Sequence, residues 1–71
     1  MSESIYTALV KRTGDWWIGW VQEIPGVNAQ ERSKEELLVS LKQALREAIE
    51  FNRADARKAA DADYAEEPIA L

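Results

Sequence analysis

The chain has 71 residues with 13 acidic and 9 basic side chains, giving a formal net charge of −4. It contains neither cysteine nor histidine, which excludes disulfide scaffolding, Cys/His zinc sites, cysteine nucleophiles and any Ser-His-Asp triad. The charge is segregated: residues 1–60 are balanced, and the whole excess comes from Asp61, Asp63, Glu66 and Glu67, so no net positive field favours a phosphate backbone.

Ser4–Arg12 reads as a first strand, with Ile5, Thr7 and Leu9 on one face and Tyr6, Ala8 and Val10 on the other. Thr13-Gly14-Asp15 suits a tight hairpin turn, because Gly14 can take positive φ. Trp16–Glu23 reads as the second strand. Trp16, Ile18 and Trp20 share one face; Trp17, Gly19 and Val21 share the other. Ile24-Pro25-Gly26 ends it, since Pro25 has no N–H to give a ladder. Val27–Gln30 reads as a short third strand with Val27 and Ala29 inward.

Ser33-Lys34-Glu35-Glu36 fits a capping box opening a helix at Lys34. Leu37, Leu38, Leu41, Ala44, Leu45, Ala48 and Ile49 recur at spacings of three and four, the signature of one buried face. Beyond Asn52 the helix continues to about Ala60 on propensity alone, rich in alanine and charge. Lys34–Asn52 would cover about 28 Å, close to the length of an eight-residue strand, so the remainder overhangs or kinks. Glu67–Leu71 could add a short last strand with Ile69 and Leu71 on one face. The fold class expected is therefore α+β in a single domain. An antiparallel sheet of three to four strands carries one long helix on one face.

A sheet with one solvated face should alternate apolar and polar residues. From Trp16 to Val21 both faces are apolar, and one helix covers only one of them. The other face is expected to meet a protein. Trp16, Ile18 and Trp20 are the candidate contact residues, with the mate a second copy or another chain. Which face the helix covers stays open, because a one-residue bulge at the turn would exchange the roles of Trp16 and Trp17. A small domain without disulfides or zinc ligands also has reason to oligomerise. Gly19 in mid-strand points to close approach of a packed element or to a bulge. In the acidic segment, Asp61, Asp63, Glu66 and Glu67 with Tyr64 as an anchor are candidates for clamping a basic partner, and a solvated tail is the alternative.

The order of strand, Gly14-Asp15 turn, aromatic strand, Glu23-Ile24-Pro25-Gly26-Val27, short strand, Ser33 cap and amphipathic helix resembles the HicB-like antitoxin family over roughly residues 5–50. Tyr6, Val10, Trp17, Gly19, Trp20, Val21, Ala29-Gln30, Glu35-Glu36, Leu41 and Ala44 carry the likeness. The chain departs from the family pattern at Glu31-Arg32, Leu37 and Ser40. The resemblance implies a partial ribonuclease-H-like fold of βββαβ order. It also implies a role in neutralising a small basic RNA-cleaving toxin of HicA-like kind. The family's DNA-binding domain has no counterpart here, so DNA binding by this chain is not expected.

Enzymatic activity is not expected either. A ribonuclease-H-like nuclease needs carboxylates converging on metal ions. Asp15, Glu23 and Glu36 each have a simpler place, in a turn, beside a turn and in a cap. No metal or other cofactor is called for. Stacking of single-stranded nucleic acid on the aromatics needs a basic groove, and Lys11-Arg12 is the only basic pair in the strands. A stand-alone oligomeric domain binding a small ligand is the rival reading. The longest apolar run, Trp16–Val21, is too short to span a bilayer, and the N-terminus lacks the apolar core of a secretory signal. The expected location is the cytoplasm.

Overall fold

The computed structural model describes residues 5–71. Three strands, β1 (Ala8–Thr13), β2 (Trp16–Val21) and β3 (Asn28–Glu31), precede one helix, α1 (Lys34–Ala60). The sheet is antiparallel in the order β1-β2-β3. The α+β class holds, with three strands among the described residues. Residues 61–71 carry no regular secondary structure, so the expected last strand at 67–71 does not form. Ile69 and Leu71 alternate correctly, but no neighbouring strand pairs with them. The start expected for the first strand, Ser4, lies outside the described residues.

Both turns follow from their glycines. Gly14 has φ +62° while Asp15 stays at negative φ, the type II′ arrangement that matches the twist of a two-residue hairpin. Gly26 has φ +89° behind Pro25, and the Val27 N–H points back at the Ile24 carbonyl, as in a type II turn. Between the turns, the register sets Leu9 opposite Trp20, Lys11 opposite Ile18, and Thr13 opposite Trp16. On the other side of β2, Ile18 faces Gln30 and Trp20 faces Asn28.

Ser33 caps α1 in extended conformation, and the Glu36 N–H donates to its hydroxyl at 3.1 Å. The Glu36 carboxylate accepts from that same hydroxyl at 3.0 Å, rather than from the Ser33 backbone as a full capping box would have it. The helix packs over β2 and β3. Val21, Val27, Leu37 and Leu41 form the buried core, with Tyr6, Val10, Trp17, Ala29, Leu45 and Ala48 packed around it. Gly19 makes the approach close. A β-carbon there would lie 3.1 Å from Leu37 Cδ2, Leu41 Cδ1 and the Leu9 carbonyl oxygen. The Ser40 hydroxyl donates to Glu31 Oε2 at 2.6 Å and ties the helix to β3.

The last helical residue packed on the core is Ala48. The twelve residues from there to Ala60 extend about 18 Å further, and from Glu50 onward all are exposed. The overhang stretches the molecule to 51 Å in its longest dimension. It follows from sequence: beyond Ile49 the apolar stripe ends, while alanines and i, i+3 pairs such as Glu50–Arg53 at 3.5 Å keep the backbone helical.

Candidate functional site: the uncovered face of the sheet

Because Gly19 lies beneath α1, Trp17 and Val21 also face the helix, and the even positions of β2 face away. The covered side is thereby settled. Trp16, Ile18 and Trp20, the residues expected at an interface, stand together on the face that no element among the described residues covers. Trp16 and Trp20 are 37% and 41% exposed, and Ile18 between them is half-buried. Leu9, opposite Trp20, adds a further exposed aliphatic side chain at 39%.

The rest of this face comes from register. Its rows run Leu9–Trp20–Asn28 and Lys11–Ile18–Gln30, with Thr13–Trp16 at the turn end. Arg32, just past β3, lays its guanidinium over the Trp16 ring, 4.1 Å from the centroid. The indole is thus supported on one side and a fixed positive charge is held beside it. The strand positions on this face hold lysine, asparagine, glutamine and threonine, and no carboxylate. The surface is therefore apolar and aromatic with a positive rim. Leu9, Lys11 and Arg32 were not singled out from sequence. Alternation alone would have placed Leu9 and Lys11, but Arg32 follows β3 and meets Trp16 only through the β2–β3 register.

The acidic candidates sit elsewhere. Asp61 ends α1 with φ +65° while its N–H donates to the Arg57 carbonyl at 3.0 Å. Asp61, Asp63, Tyr64, Glu66 and Glu67 are all exposed. Glu66 lies 3.7 Å from the Arg57 guanidinium, which holds the tail against the end of the overhang. The structure does not bring this segment onto the sheet face.

The carboxylates weighed for metal chemistry are dispersed. Glu23 Oε1 accepts from the Thr7 N–H at 2.8 Å, which closes the open end of the hairpin beside the Gln22 N–H to Thr7 carbonyl bond. That backbone hydrogen bond lowers the pKa of Glu23 below its ordinary value. Glu36 belongs to the cap and Asp15 to the turn. Among the described residues no group of three or more carboxylates converges as a metal site would require, and no helix is long and apolar enough to cross a membrane.

A concavity also lies beside the helix. A shallow groove of about 160 Å³ is lined by Tyr6, Ala8, Val21, Leu38, Leu41, Lys42 and Leu45. Ligand pockets usually hold roughly 300–1,000 Å³ with several convergent polar groups. Here Lys42 supplies the only charge. The sheet face, by contrast, carries the aromatic side chains typical of binding hot spots. Compared with protein-family models, with curated proteins and with solved structures, the chain matches none.

Proposed function

We propose that the protein is a non-enzymatic protein-binding module of the HicB-like antitoxin kind, which neutralises a small basic RNA-cleaving toxin by covering its RNA-binding surface. The observation that carries this reading is the uncovered sheet face on which Leu9, Trp16, Ile18 and Trp20 lie together. Isolated surface aromatics are common, but a contiguous apolar patch on so small a domain marks a contact. The detached acidic segment supports the same reading. It carries four exposed carboxylates and Tyr64, a charge that would complement a basic surface as RNA phosphates do. The module acts as a homo-oligomer, most simply a dimer, through the sheet.

The test is direct. The protein is co-expressed with any small basic protein found encoded beside it, and RNA cleavage by that protein is measured with and without this chain. Inhibition at stoichiometric amounts, lost when Trp20→Glu is introduced and weakened by raising salt, is the expected result. If no neighbouring basic protein binds at micromolar concentration, the antitoxin reading fails.

A further inference from the structure

We infer that the uncovered sheet face is the docking site for the acidic C-terminal segment, Asp61–Leu71, of a second copy of this chain. The inference rests on the face being a protein-binding surface and not on the nature of any toxin. Two features in one molecule are complementary and yet apart. The face offers Trp16, Ile18 and Trp20 with Lys11 and Arg32 as its charges. The segment offers Tyr64, Ile69 and Leu71, at 46%, 86% and 118% exposure, among Asp61, Asp63, Glu66 and Glu67. A cationic aromatic surface and an anionic segment with apolar anchors satisfy each other's charge and bury each other's hydrocarbon.

Geometry makes the contact intermolecular. Leu37 and Leu41 lie over Gly19 at the centre of the sheet. Arg57 is sixteen residues beyond Leu41, about 24 Å along the helix axis. Glu66 is held beside Arg57, and the five residues after it reach at most about 17 Å when extended. The face also lies on the far side of the sheet from α1. With Glu66 beside Arg57, the chain's own Ile69 and Leu71 stop short of its own Trp16–Trp20. The overhang that carries the segment away from its own sheet presents it to another. Two copies related by a two-fold axis exchange segments reciprocally, each filling the other's face, which closes the assembly instead of propagating it.

The experiment uses the full chain in two variants. In the first the segment is neutralised by Asp61→Asn, Asp63→Asn, Glu66→Gln and Glu67→Gln. In the second the face is altered by Lys11→Glu and Arg32→Glu, both exposed positions that leave the core intact. Trp20→Glu serves as a further face variant, with circular dichroism confirming the fold of each. Sedimentation and light scattering measure the mass. The expected result is a dimer for the unaltered chain whose dissociation constant rises tenfold or more in each variant and with added salt. Mixing the two variants should restore association, because one still has an intact face and the other an intact segment. If the neutralised variant dimerises as tightly as the unaltered chain, the sheets associate face to face and the inference is wrong. It is equally wrong if the unaltered chain stays monomeric at millimolar concentration. Both results leave the co-expression test of toxin neutralisation unaffected, while a monomeric chain would overturn the oligomeric part of the proposed function as well.

Discussion

The Arg32 guanidinium stacks on the Trp16 ring with 4.1 Å between its central carbon and the ring centroid. Both residues are exposed, so the contact is worth about 0.5–1 kcal/mol. Arg32→Ala should lower the stability by that small amount, read as a slight fall in the urea midpoint, and shift the tryptophan emission, since one face of an indole becomes open to water. Arg32→Lys keeps the charge but loses the planar stacking, and it should fall between the two. An emission spectrum and midpoint identical to the unaltered chain in Arg32→Ala would show that the pair is not formed in solution.

Gly19→Ala should be among the more damaging single-methyl additions in the chain. Two of the three atoms that the new carbon meets at 3.1 Å are leucine methyls, which can yield slightly. The third is the Leu9 carbonyl oxygen, part of the β1–β2 ladder. Overpacking costs about 1–3 kcal/mol, against about 0.4–1 kcal/mol gained by restricting the unfolded chain. A net loss of about 1–2 kcal/mol is expected as a fall in the urea midpoint at unchanged slope. Stabilisation by Gly19→Ala would mean that the helix sits further from the sheet than described.

Two serines fasten α1 at separate points. Ser33→Ala removes the N-cap acceptor and should cost about 1 kcal/mol. Ser40→Ala removes the donor to the half-buried Glu31 carboxylate, and a hydrogen bond to a charged group contributes roughly 1.5–3 kcal/mol. The two have different partners, so the double variant should equal the combined single losses within about 0.5 kcal/mol. A Ser40→Ala variant as stable as the unaltered chain would show that Glu31 is satisfied by water instead.

Glu23 links pH to the hairpin. Its pKa is lowered in the folded state, first by the hydrogen bond from the Thr7 backbone N–H. The carboxylate's contribution is therefore complete above the ordinary glutamate value, roughly 4.3. It is lost as pH falls through the lowered value, because protonation then removes the charged acceptor. The Glu23→Gln variant should be less stable than the unaltered chain at neutral pH, and the two should converge at acid pH. Parallel stability curves across that range would show that Glu23 makes no folded-state contact.

The helix was legible almost to the residue. The Ser33 cap marks its start, the three- and four-residue spacing marks its buried stripe, and the loss of that stripe after Ile49 foretells the overhang. The strand positions were legible from alternation and from two glycine turns. The strand ends were not, because they depend on pairing: the Val21 N–H to Val27 carbonyl bond is the last rung to β3 before the chain turns at Ile24-Pro25-Gly26. The missing last strand has the same cause, since Ile69 and Leu71 show a strand pattern but only a neighbouring edge could make them one. The covered face could not be read from hydrophobicity, as Trp16–Val21 is apolar on both sides. Gly19 held that information, because the side without a side chain is the side a helix can approach. Arg32 was hidden for a related reason: its partner lies on a different strand, across a register that local sequence does not state.

The gap above Gly19 also governs which strand pairings are available. Sliding β2 by one residue against its neighbours would turn Ile18 or Trp20 toward Leu37 and Leu41. The space there does not comfortably admit one methyl group, and an indole or a branched chain could enter only by lifting α1 off the sheet. Misaligned hairpins thus forfeit the helix, and with it Leu37 and Leu41, two of the four buried core residues. A strand whose two sides are equally greasy would otherwise tolerate either alignment. Here a single absent side chain penalises the wrong one and keeps both outer tryptophans turned to water.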